Sequence, residues 1–168
     1  AIYPFIGGTE AAHKYNLKDP RDLDAAYRLT FSGTWTHNPS GSQPSNSRAN
    51  TYLTPTTELE RDSVHMSFYS QTSTIGTGAD WSADMNRFYF SPALVNNNLY
   101  ITFNNSESNR GATPYPNSRG FLLGTRVDSS TVNFYYNNNR IGSYSQGLTS
   151  YSSTNTILLG GLIDGRYS

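Results

Sequence analysis

The sequence contains no cysteine, which removes disulfides, thiolate nucleophiles and zinc–thiolate centres from consideration. Charge is also scarce: 14% of the 168 residues are charged, 12 basic against 12 acidic. Nucleic-acid affinity rests on clustered Lys and Arg neutralising phosphates, and a sequence pI near 7.1 with no basic run excludes that partner. No apolar stretch approaches the roughly 20 residues that span a bilayer, so no membrane insertion is expected. No charged-then-apolar secretion signal opens the chain. The Gly-x-Ser-x-Gly elbow of a serine hydrolase is missing, as are glycine-rich phosphate loops.

Aromatics are what the chain has in quantity, with 13 Tyr and 8 Phe. Disordered chains lack them, so a folded domain is expected although mean hydropathy is −0.59. A chain of this size buries roughly 70% of its unfolded surface around one core. Surface polarity comes from Asn, Ser and Thr, which offer hydrogen bonds with little electrostatic field. The start at Ala1 without Met reads as an excised domain or processed fragment.

Residues 1–26 read as an arm packed on the same domain: an apolar opening (Ile2, Tyr3, Phe5, Ile6) followed by a short helical turn. Asp19 before Pro20 resembles an N-cap with proline at the first helical position, and Leu23, Ala26 and Tyr27 share a face. From Tyr27 the period becomes two, as Tyr27, Leu29, Phe31 and Gly33 alternate with Arg28, Thr30 and Ser32, and Trp35 and His37 extend the strand. Residues 38–50 contain Pro, Gly, Ser and Asn and nothing to bury, so they read as a surface loop. Further strands are expected at Val64–Ser70, Asn86–Ser91, Leu99–Phe103, Phe121–Val127, Thr131–Tyr136, Arg140–Tyr144 and Thr156–Leu162. Asp128–Ser130 and Asn137–Asn139 supply hairpin connections. Short strands at regular spacing with no βαβ alternation predict an all-β antiparallel sandwich over 27–168 with at most one short helix.

The segment GFLLGTRVDSSTVNFYYNNNRIGSYSQGLTSYSSTNTILLGG resembles laminin-G-like and concanavalin A-like jelly rolls, in which a strand, a "v.fYvNG..i" hairpin and a late "i.lGG" strand recur. Asn137–Asn139 stand where that hairpin usually holds Asn-Gly, and the closing strands after the glycine pair are barely present. HKYNLKDPRDLDAAYRLTFSGTWTHNPSG, with ANTYLTP and VHMSFYS, is similar to segments of tailed-bacteriophage structural proteins that carry such a domain. The resemblance implies a jelly roll on a virion exterior, without its last strand or two. It implies no active site.

Glycan recognition asks for an aromatic face that stacks on a sugar and short polar side chains that reach its hydroxyls. Trp35, His37 and Asn38 fit, as do Trp81 and the loop residues Asn109, Arg110, Tyr115 and Asn117, with 38–50 and 104–120 as contact-making loops. Asp80, Asp84 and Asn86 are oxygen donors for a structural calcium, without the spacing of a defined calcium loop. No other cofactor is expected, because His13, His37 and His65 lack metal-site spacing. Glu58, Glu60 and Asp62 stand two apart, so a strand would project all three from one face, and paired carboxylates perform glycoside hydrolysis.

The expectation is a non-catalytic virion surface or structural domain on a tail, fibre or head decoration. It contacts host glycan, other virion subunits or copies of itself. The alternatives are a carbohydrate-active enzyme using Glu58, Glu60 or Asp62, and a purely architectural assembly module.

Overall fold

The computed structural model describes residues 1–72, 81–84, 88–95, 98–105, 111–114, 117, 119–148 and 154–160. These residues build an antiparallel all-β sandwich. In chain order the strands are β1 (Thr30–Asn38), β2 (Gly41–Asn50), β3 (Val64–Ser70), β4 (Trp81–Asp84), β5 (Phe88–Val95), β6 (Asn98–Phe103), β7 (Gly111–Pro114), β8 (Gly120–Arg126), β9 (Thr131–Tyr136), β10 (Asn139–Ser145) and β11 (Leu158–Leu159). One sheet runs β1-β2-β11-β4-β5-β6-β7 and the other β10-β9-β8-β3.

Alternation decides what lies between the sheets. On β8, Leu122 and Gly124 face inward between outward neighbours, and β6 sends Leu99, Ile101 and Phe103 into the interior, all fully buried. Phe88, Phe90, Phe103 and Phe134 form the aromatic centre, with Phe90 and Phe134 centroids 5.3 Å apart. The sheets close tightly at Gly124, where a Cβ would collide with Ile101 Cδ1 and press the Phe90 and Phe103 rings at 3.2 Å. Only glycine permits that approach.

Two buried polar side chains tie the sheets together. Arg126, 2% exposed at the end of β8, donates from Nε to the Phe103 carbonyl at 2.8 Å and from Nη1 to the Gln146 and Asp128 carbonyls at 2.8 and 3.2 Å. Gln146 donates from Nε2 to the Ile101 carbonyl at 3.0 Å. Both side chains therefore satisfy carbonyls of β6 from the opposite sheet.

The β9–β10 hairpin follows the sequence reading. Asn137 and Asn138 both have positive φ, 45° and 69°, and Tyr136 pairs with Asn139, as a two-residue primed turn requires. At the β8–β9 turn the Asp128 carboxylate accepts from the Ser130 and Thr131 backbone N–H groups at 2.7 and 2.6 Å, and those bonds hold its pKa below the usual carboxylate value.

Several sequence expectations are corrected. Residues 41–50 are not loop but β2, paired with β1 from Asn38↔Gly41 to Thr30↔Asn50. The strand expected from Tyr27 starts at Thr30, because Tyr27 is left-handed at φ 57° and caps a 3-10 turn at Asp24–Ala26. That turn lies five residues past the expected start at Asp19, which instead bridges Asn16. Two four-residue helices form, α1 (Glu10–His13) and α2 (Pro55–Glu58), where at most one was expected. The loop expected over 104–120 contains β7. The last expected strand is described only as Leu158–Leu159.

Four strands lie opposite seven, so part of the long sheet's inner face needs another cover. Tyr3 and Phe5 from the arm and Leu53 and Leu59 around α2 pack on the core there. The arm is fixed by backbone bonds such as Leu29 N–H to the Lys14 carbonyl at 2.7 Å and by Tyr3 Oη donating to the Tyr27 carbonyl at 2.6 Å.

Candidate functional site

β1 and β2 divide into two chemically different faces. Phe31 on β1, Ala49 on β2 and Leu159 on β11 are cross-strand partners in the core. Their sequence neighbours Thr30, Ser32, Arg48, Asn50 and Leu158 therefore share the outer face. A β-bulge interrupts the ladder: the step Ser32 to Thr34 on β1 faces the longer step Arg48 to Ser45 on β2. Ser47 stabilises it, donating from Oγ to the Thr34 carbonyl at 2.7 Å and accepting from the Ser45 N–H at 3.0 Å.

On the outer face, beside the bulge, lies an open cleft of about 380 Å³. β1 contributes Thr30 and Ser32, β2 contributes Arg48 and Asn50, and Tyr52, Asn155 and Thr156 complete the wall around Leu158. Among the described residues no carboxylate lines it. Tyr52 is left-handed at φ 58°, a conformation that the Asn50 side chain secures by accepting the Tyr52 N–H at 2.8 Å. Tyr52 Oη bonds Thr30 Oγ1 at 2.9 Å across the cleft wall, and Thr156 Oγ1 donates to Asn50 Oδ1 at 2.6 Å. The Thr51 N–H and hydroxyl both donate to the Ile157 carbonyl, at 3.1 and 2.8 Å. These bonds preorganise the cleft before any ligand arrives.

The residues nominated from sequence lie elsewhere. Trp35 is half-buried toward the interior, edge-on to Phe31 at 5.0 Å, with Nε1 donating to the Ser32 carbonyl at 3.3 Å. His37 also turns inward, its Nδ1 2.9 Å from Nδ1 of the fully buried His13, beside the Phe31 ring at 4.9 Å. Asn38 is exposed at the end of β1, where Oδ1 accepts from the Ser40 N–H at 2.9 Å. Asn117 is exposed and accepts from the Arg119 N–H at 2.8 Å. Trp81 opens β4, its backbone paired with Phe90 and Leu159, and Asp84 closes that strand. Asp80, Asn86, Asn109, Arg110 and Tyr115 lie outside the described residues.

The carboxylate triplet is not on a strand. Glu58 ends α2 and folds back to accept from the Thr54 N–H at 2.9 Å and from the Thr57 hydroxyl, as a helix-capping side chain does. Glu60 and Asp62 are exposed in the bend before β3.

The inward imidazoles form a second polar feature. With Nδ1 facing Nδ1, one ring must carry the proton that the other accepts, and both Nε2 atoms are buried without a partner among the described residues. Burial, reinforced by the neighbouring His37, pushes the His13 pKa below its ordinary value.

Comparison with protein-family models, with curated proteins and with solved structures returns no match. The cleft's own chemistry must therefore carry any functional assignment. Its hydroxyl, amide and guanidinium groups suit a polyhydroxylated ligand. The signal that could have disclosed it is the pairing of Thr30 and Ser32 with Asn50 and Arg48, invisible while 38–50 is read as loop.

Proposed function

We propose that this chain is a non-catalytic surface domain that holds a glycan in the cleft between β1, β2 and the segment before β11. In this reading it is displayed on a virion exterior, as its sequence resemblance to tailed-phage structural proteins implies. The supporting observation is a preorganised polar cleft on a solvent-facing sheet, rich in short side chains that can bond sugar hydroxyls. Glu58 acting as a helix cap favours binding over hydrolysis, since a carboxylate already accepting two hydrogen bonds is poorly placed as acid or nucleophile.

The test is a glycan-array and whole-cell binding screen of the purified domain beside Ser32→Trp, which fills the cleft from an exposed strand position. Wild type is expected to bind a restricted set of glycans, and Ser32→Trp to lose that binding with unchanged thermal stability. A blank screen with self-association in solution supports the second reading, a structural virion module. The exposed cross-strand pair Tyr69 and Phe121, 65% and 37% accessible, favours that alternative.

A further inference from the structure

The cleft has a bias in hydrogen-bond polarity. The Asn50 amide is oriented by its neighbours: Oδ1 receives the Tyr52 N–H, which can only donate, so Nδ2 must carry the two remaining donors. Nδ2 has no protein partner among the described residues, and neither does the exposed guanidinium of Arg48 two residues earlier on the same face. The ion pairs among the described residues are made by Lys14, Arg21 and Arg28 with Asp19, Asp22 and Asp24 in the arm. Arg48 thus stands as a fork of N–H donors beside an amide donor and the Ser32 hydroxyl, with no carboxylate among the described residues of the cleft to neutralise it.

A neutral sugar presents hydroxyls that both donate and accept, so a cleft built for it gains from acceptors. At its Arg48–Asn50 corner this one offers donors only, with a positive charge that no carboxylate among the described residues compensates. A planar guanidinium takes a carboxylate or a phosphate oxygen pair through two parallel bonds. We propose that the cleft selects an acidic saccharide, its carboxylate or other anionic substituent held by Arg48 and Asn50 and its ring hydroxyls by Ser32 and Thr30. This rests on the glycan-binding reading above and narrows it to one ligand class.

The experiment measures binding of the intact domain to uronic-acid polysaccharides (polygalacturonate, alginate, hyaluronan), to the same polymers after carboxyl reduction, and to neutral dextran and galactan. Arg48→Gln, Arg48→Lys and competition by inorganic sulfate are run in parallel. The expected result is binding to at least one acidic polymer that disappears on carboxyl reduction, weakens with salt and falls about ten- to a hundredfold in Arg48→Gln, the loss of charge-assisted bonds. Arg48→Lys should recover part of it, since it keeps the charge but not the fork. Binding to neutral polymers that Arg48→Gln leaves unchanged would overturn the acidic class while sparing the glycan reading. A blank result on every polymer would overturn both. Competition by sulfate as strong, mole for mole of anionic groups, as by the polymer would mark a free-anion site and overturn the saccharide assignment.

Discussion

Arg126→Met is expected to lower the unfolding free energy by about 3–5 kcal/mol, a large share of the roughly 5–15 kcal/mol typical of a domain. Arg126 is 2% exposed and its guanidinium serves carbonyls at three separate points of the chain: Phe103 at the end of β6, Asp128 in the β8–β9 turn and Gln146 after β10. Methionine fills much of the volume but donates nothing, so those carbonyls lose their partner in a site where water is excluded. Burial pushes the Arg126 pKa down, opposed by the carboxylates of Asp128 and Asp62. Arg126→Lys should cost less, about 1–3 kcal/mol, as an ammonium can reach some of the same oxygens. Urea denaturation read by tryptophan fluorescence supplies the measurement. A loss under 1 kcal/mol in Arg126→Met would show that the strut is dispensable.

Stability is also expected to fall as pH drops below about 6.5, the ordinary imidazole value. The folded state holds His13 at a depressed pKa, first through burial and then through His37. The unfolded chain therefore binds that proton more tightly, and stability rises with pH across the window between the depressed value and 6.5. One proton gives a slope of up to about 1.4 kcal/mol per pH unit there. The shared contact acts in the same direction as burial: a second proton would set two N–H groups head to head across 2.9 Å. His13→Phe, in a pocket already lined by Phe5, should flatten the thermal midpoint between pH 5 and 7 relative to wild type. An equally steep dependence in that variant would assign the effect to other groups.

Much of the sandwich was legible because its hydrophobic strands alternate. β3 and β9 match the ranges read from sequence, and β5, β6, β8 and β10 lie within a few residues of them. Where alternation was absent, reading failed for a physical reason. β2 exposes one face to water and carries Pro44, a residue that cannot donate to a ladder and so argues against a strand when read from sequence. Its sequence, Gly41 to Asn50, therefore looks like a loop.

The same blindness hid the candidate site. Arg48 and Asn50 become partners of Ser32 and Thr30 only through the β1–β2 register, and Thr156 reaches Asn50 across 106 residues of chain. Trp35 and His37 were visible as aromatic and polar residues on a strand, but which face they occupy depends on pairing. Both point inward because they share the parity of Phe31.

The most direct test of the cleft is an amide-resolved NMR titration of the ¹⁵N-labelled domain with a short oligogalacturonate. Chemical-shift changes are predicted to cluster at 30–32, 48–52 and 156–158, with the Arg48 and Asn50 side-chain resonances moving as well. Changes centred instead on Trp35–Asn38 or on Tyr69 and Phe121, or no change at saturating ligand, would contradict a glycan-binding cleft on this face.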